Sequence, residues 1–357
     1  MKNKKQWILG LVVLVALAFL LVWGRDRMHF DFGVFRAQLA QADWGKIGIG
    51  TGCIYLAYLF RSVRWALLLR HNKKVPPFSL LGTQVIGFTA VAIIGRVADP
   101  VRPYLVAKKT GLPISSQIAV YIVERMFDLG SMALIFSVVL LTASEALPHP
   151  ELLMRVAKGG LLATLAMAAF TVGVRLAGGM IAAFMERTLG VFSNKLGHSV
   201  GQKIRTFQTG LDTLRSFTDF GAAALLSVGM WILITLAYLE TTRAFVASPQ
   251  LAAMTLPKCM VLMASSMVAS GFQLPILGWF TQIGLVAAAM SSFFGVAPEP
   301  AAACGAMLLL VTFLSITPAG LIWAQFEHVS LRKITEESEI GGGELQGDNA
   351  AVSDMVD

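Results

Sequence analysis

Arginine and carboxylate side chains crowd into one stretch of an otherwise apolar chain. It runs Gly95-Arg96-Val97-Ala98-Asp99-Pro100-Val101-Arg102-Pro103-Tyr104, then Glu124-Arg125-Met126-Phe127-Asp128. A guanidinium is a planar, permanently charged fork that grips a phosphate or a carboxylate with two hydrogen bonds at once. Glu124 and Asp128 stand four residues apart, so a helix sets them on one face, with Arg125 nearly a quarter turn around. Two readings follow. In the first, Arg96, Arg102 and Arg125 bind an anionic group in a polar cavity, while Asp99, Glu124 and Asp128 form a charge network that orients them and keeps the empty site neutral. In the second, the same charges are a structural ion-pair network that fixes one segment to its neighbours. Paired carboxylates can also divide acid and base roles in an enzyme, but Arg125 beside them argues that both stay ionised and paired.

Secondary candidates lie elsewhere. Arg61 and Arg64 are spaced i, i+3 near the end of an apolar run, where long basic side chains commonly snorkel to headgroups. Glu240 is placed to pair with Arg243 or another helix in a packing role. Gln273, Pro275, Gly278, Trp279 and Gln282 mark a break in a later apolar run, with Trp279 a candidate interface anchor. Other chemistries lack their parts. There is no phosphate-cradling Walker loop, no G-x-S-x-G elbow and no Cys/His pair at useful spacing. Cys53, Cys259 and Cys304 are isolated, and the five histidines are scattered. No catalytic residue, cofactor or metal is expected, and ATP hydrolysis within this chain is excluded.

The elements that position these charges follow from composition. The 357 residues are 56% hydrophobic and 14% charged, with mean hydropathy +0.69. Soluble domains carry about 25% charged residues. Apolar runs recur at lengths near the roughly 20 residues that cross a bilayer as a helix. The fold class is therefore all-α, a polytopic helical membrane protein. Charge inside a bilayer costs about 2.5–3.5 kcal/mol per Arg, Lys or Asp on insertion scales, so the clustered charges need partners. The formal charge is +8, but seven acids lie beyond Lys333, leaving the rest of the chain at about +15. The bases flank apolar runs, which fits the positive-inside bias and not a nucleic-acid surface.

That bias orders the segments. A first span at 7–24 starts inside, and 47–69 returns to the basic loop at 70–74. The short, glycine-rich 79–95 is either a full span, which would put its basic sequel outside against the bias, or a re-entrant hairpin with both flanks cytoplasmic; backbone of the second kind must be enclosed by protein or water. Spans 116–142 and 158–177 follow, then a cytoplasmic amphipathic stretch over 178–219, span 220–246, a broken pair over 257–296 and span 300–325. This makes about six full spans plus two re-entrant or broken hairpins. Residues 1–330 form the membrane domain, and 331–357 an acidic, disordered cytoplasmic tail. The order span, broken segment, span occurs twice with opposite openings, which points to an inverted repeat with a midplane site. Close packing through small residues is the alternative explanation of the glycines.

At the Arg96 cluster the chain resembles the transmembrane-region family of lysylphosphatidylglycerol synthase/flippases. The family's first hallmark looks like P-G-R-x-G-E-x-x-R, then a Gly-Leu stretch and E-R-x-x-D. Gly95, Arg96, Arg102, Gly111-Leu112, Glu124-Arg125 and Asp128 match it, while Ile94, Ala98 and Asp99 replace Pro, Gly and Glu. Arg61-Ser62-Val63-Arg64-Trp65 fits an R-x-x-R-W pattern before it. The second hallmark, P-G-G-x-G-x-x-E, is approximated by residues 275–282, with Gln282 at the Glu position.

The family also includes stand-alone bacterial proteins and archaeal relatives linked to dolichol-phosphate sugar metabolism. The resemblance implies a flippase-like protein of the bacterial inner membrane, both termini cytoplasmic, that translocates or handles an anionic or polyprenyl-linked lipid. Membrane lipids are its expected partners, with further copies of the chain or envelope-synthesis enzymes beside them. The acidic tail in place of a synthase domain leads to the expectation that the chain is not a synthase by itself. An intramembrane lipid-modifying enzyme and a non-transporting scaffold for envelope synthesis are the alternatives.

Overall fold

Short polar side chains and prolines set where the helices begin. In the computed structural model, which describes residues 30–95, 98–143, 147, 150–191, 193–211, 216–271 and 277–327, Asp31 caps α1 (Phe32–Ala40) and Asp43 caps α2 (Trp44–Leu69). Each carboxylate accepts hydrogen bonds from two backbone N–H groups of the first turn. Helices α3 (Pro77–Ile94) and α6 (Pro150–Gly190) start on proline, whose missing N–H costs nothing at that position. Gly95 ends α3 at φ 91°, ψ −171°, a conformation essentially restricted to glycine. After the turn at 98–100 the chain runs back as the short helix α4 (Val101–Thr110), stopped by Gly111 at φ 69°.

The remaining elements are α5 (Ile114–Leu141), α7 (Asn194–Leu211), α8 (Phe217–Arg243), α9 (Pro249–Ala252), α10 (Leu256–Gly271), α11 (Leu277–Phe294), α12 (Pro298–Leu309) and α13 (Ile316–Phe326). A π-helical turn at Leu310–Leu314 joins the last two; there the Ser315 N–H reaches back to the Leu310 carbonyl. Among the described residues the fold is all-helical, and five helical stretches (α2, α3, α6, α8 and α12–α13) are long and apolar enough to cross a membrane. Helix α5 has the length, 28 residues, but carries Glu124, Arg125 and Asp128 at mid-height.

Small residues bring backbones together, as bilayer packing requires. Gly50 of α2 faces Thr241 and the Ala237 carbonyl of α8. Gly320 of α13 lies against Thr89 and the Val85 carbonyl of α3, and Gly160 of α6 against Ser137 of α5. Polar contacts identify the two ends of the bundle. At one end Arg70 and His71 meet Asp219, Lys73 Nζ donates to the Thr110 carbonyl, and Lys109 pairs with Glu327 at 2.6 Å. At the other, Lys46 donates to the Arg243 carbonyl, Arg243 Nε to the Met254 carbonyl, and the Asp31 N–H to Glu299. The α3–α4 hairpin thus opens and closes at the first end. The α10–α11 pair begins beside Met254 and finishes shortly before Glu299, at the second.

One boundary differs from expectation. Residues 79–95 are not a hairpin by themselves. They form one straight arm, and the basic segment after Gly95 supplies the other. The reason is local: the small residues within α3 are helical, and only Gly95 adopts a backbone that breaks the helix. The change of element expected at residue 178 does fall there: Ala177 has non-helical angles (φ −139°, ψ 26°), and α6 is two helical arms joined at that kink. The first span (7–24), Arg96 and the acidic tail lie outside the described residues, as do Gln273 and Pro275.

Candidate functional site

Three helices carry the charges to one depth. Arg61 lies eight residues before the end of α2, while Glu124 and Ser227 lie ten residues after the starts of α5 and α8. All three helix termini are at the same end of the bundle. At about 1.5 Å per residue the charges therefore sit roughly 12–15 Å in, about half the thickness of a hydrocarbon core.

At that depth Glu124 is the hub. Its carboxylate accepts from Arg61 Nη1, Arg64 Nη2 and Arg102 Nη2, each at 2.8 Å. Asp128, one turn along, accepts from Arg61 Nη1 at 3.1 Å and Arg64 Nη1 at 2.6 Å. Arg64 also donates to Ser227 Oγ at 2.5 Å. Arg102 is clamped further by Gln84 Oε1, which accepts from its Nε and Nη2 at 3.1 and 2.9 Å. Arg125 faces the other way and meets Asp99 at 3.5 Å.

Aromatic faces shield these guanidiniums. Arg102 lies 4.4 Å from the Phe88 ring centroid and 5.3 Å from that of Trp65, Arg61 lies 4.8 Å from Phe88, and Arg125 lies 4.8 Å from Tyr121. The charges do not balance. Among the described residues, Arg61, Arg64, Arg102 and Arg125 face Asp99, Glu124 and Asp128, which leaves one positive charge over. Arg61 and Arg64 join the described cluster, while Arg96 lies outside the described residues.

Beside the network is a cavity of about 430 Å³. Its charged wall is Arg61, Asp99, Arg125 and Asp128, and its neutral polar wall includes Tyr58, Tyr238, Ser266, Gln282 and Thr312. Phe88, Leu129, Trp231 and Phe313 add apolar surface. On the polar wall Tyr238 Oη and Ser266 Oγ are 2.7 Å apart, and Gln282 Nε2 donates to Ser266 Oγ at 3.1 Å. The π-helical turn presents Thr312 and Phe313 to the same space.

The structure therefore brings together Arg102, Arg125, Asp99, Glu124 and Asp128, and it adds Arg61 and Arg64. The snorkelling expected of that pair is overturned. Arg61 is 8% exposed and Arg64 1%, and both guanidiniums turn inward to Glu124 and Asp128 instead of reaching headgroups. Arg102 is wholly buried and is not on the cavity wall. Glu240 lies 4.0 Å from Arg243, far from the cluster and near the second end. Trp279 donates from its indole to the Ala92 carbonyl at 3.1 Å, so it ties the start of α11 to the last turn of α3 instead of anchoring at an interface. Gln84, Ser227, Tyr238 and Ser266 were missed. A glutamine inside the apolar run 79–95 was the available signal for the first.

Among the described residues no group of three or more His, Cys, Asp or Glu could hold a metal ion. The bundle and its buried guanidinium–carboxylate cluster define a polytopic helical membrane protein with an enclosed ionic site. The chain belongs to the family described as the lysylphosphatidylglycerol synthase TM region, whose model matches residues 7–320; it is an integral membrane protein of lipid metabolism. No curated protein and no solved structure matches the chain.

Proposed function

We propose that this protein is a flippase-like carrier that holds the anionic headgroup of a membrane lipid in the midplane cavity and passes it between leaflets. One observation carries the reading: a cavity of about 430 Å³, at half the depth of the bundle, is walled by Arg61 and Arg125 of a cluster that, among the described residues, holds four arginines against three carboxylates. Excess positive charge at that depth is costly, and an entering anion offsets it. Arg125 is the headgroup contact, because its side chain is one-third exposed. Arg61 supports it from the cavity edge. Arg102, held by Glu124 and Gln84, positions the network and does not reach the ligand. Arg96, three residues before Asp99 in the sequence, is the further headgroup candidate. The two hairpins closing at opposite ends favour the inverted-repeat reading, in which each end gates one leaflet.

The test is lipid transfer in proteoliposomes. Arg125→Ala should lower transfer by at least tenfold while leaving the thermal midpoint within a few degrees of wild type. Transfer unchanged by that substitution would remove the headgroup role. A covalently altered lipid in the same vesicles would favour the enzyme reading instead.

A further inference from the structure

The last span consists of two half-helices seated on different neighbours. Its first half, α12, packs on α11 of the second hairpin, where Gly305 lies against the Ile283 carbonyl. Its second half, α13, packs through Gly320 on α3 of the first hairpin. The π-helical turn at Leu310–Leu314 joins the halves, and its Thr312 and Phe313 line the cavity. A π turn holds one residue more than the α-helix it interrupts. Winding that residue into regular helix turns one half against the other by about 100° and shifts it by about 1.5 Å. Because each half is seated on a different hairpin, such a step moves the hairpins relative to each other around the cavity.

Ser315 carries the donors that make both windings affordable. Its N–H goes to the Leu310 carbonyl at 2.7 Å, five residues back. The Val311 carbonyl, which that N–H would meet in an α-helix, accepts from the Ser315 hydroxyl at 2.7 Å instead. Returning the N–H to Val311 frees the hydroxyl, so neither winding leaves the Val311 carbonyl orphaned. Tyr55 Oη of α2 donates to the Ser315 carbonyl at 3.0 Å, which ties the turn to the helix that carries Arg61 and Arg64. We propose that this turn is the moving part of the carrier cycle, alternating between π and α windings. Ser315 is its positioning residue, exchanging O–H for N–H on Val311 at each step. The proposal rests on the carrier reading.

Deletion of Leu310, which is exposed on the bundle surface and is not on the cavity wall, tests this. It removes the extra residue, so the Ser315 N–H meets Val311 at α-helical spacing and both flanks keep their register. In proteoliposomes the deletion should lower transfer of fluorescent phosphatidylglycerol at least tenfold. Native mass spectrometry should still find that lipid retained within twofold of wild type. Spin labels on cysteines replacing the exposed Phe78 of α3 and Leu285 of α11, with Cys53 replaced, follow the hairpins directly. The wild-type chain should show two distances and the deletion one. Ser315→Ala should shift the ratio of the two by about two- to tenfold, the range of one neutral hydrogen bond. Ser315→Thr, which keeps the hydroxyl, should restore it. One unchanged distance in the wild-type chain, with and without lipid, overturns the proposal, as does wild-type transfer by the deletion variant. Should the deletion variant not fold, the Ser315 pair decides: a ratio in Ser315→Ala equal to wild type overturns the proposal. Wild-type vesicles that move no lipid yet show both distances would remove the carrier reading, and the turn's part in transport with it.

Discussion

Glu124 receives three guanidiniums on two oxygens, and that arrangement separates residues that hold the site from residues that use it. Removing one member of a buried pair strands the rest, typically at about 3–5 kcal/mol, whereas removing both partners together costs far less. Glu124→Ala and Arg102→Ala should each lower thermal stability strongly in detergent, and the double variant should lose clearly less than the sum. A fully additive pair would show that the contact carries no coupling. Arg125→Ala should leave stability nearly intact, because Asp99 keeps other contacts and the side chain is already partly exposed. Much of this cluster was legible in sequence: the i, i+4 spacing of Glu124 and Asp128 set one face, and intramembrane charge demands partners. Arg61 and Arg64 are harder to place from sequence, because nearness to a helix end along the chain does not mean nearness to water. Their depth, eight and five residues inside Leu69, was the better guide.

Helices were easier to foresee than the hairpin arms. Long apolar runs such as those of α2 and α8 announced themselves by hydropathy, but the first hairpin's return arm did not. Helix α4 is only ten residues and basic at its end, with Lys108 and Lys109 in the last turn, so no apolar signal marks it. What places it is tertiary: Gly87 leaves room for the Arg102 side chain to lie across α3, and Glu124 and Gln84 hold that side chain there. The hairpins also touch each other, since the Ala92 carbonyl, freed by the end of α3, accepts the Trp279 indole N–H. Trp279→Phe removes that one bond, worth about 0.5–1.5 kcal/mol. The expected outcome is a small loss of stability with faster hydrogen exchange confined to the last turn of α3. Exchange unchanged at 91–95 would show that the contact does not restrain the tip.

For the molecule as a whole, the ends of the bundle define a topology that labelling can check. Single cysteines replacing Lys74 and Lys108 should share one side of the membrane, and those replacing Lys46 and Gln250 should share the other. An impermeant maleimide applied to intact cells should label one pair only, after the native Cys53 is replaced; Cys259 and Cys304 are already buried. Labelling of all four positions from outside would end the opposed-hairpin arrangement.

The spread of the ionic cluster along the chain also bears on how it is made. Arg64 is synthesised 60 residues ahead of Glu124. At about 5–20 residues per second the α2 arginines precede their counter-ions by roughly 3–12 seconds. During that interval they face the insertion cost of unpaired charge. Release of α2 into lipid should therefore wait for α5, so that biogenesis proceeds by delayed, joint partitioning of two non-adjacent segments and not by one helix at a time.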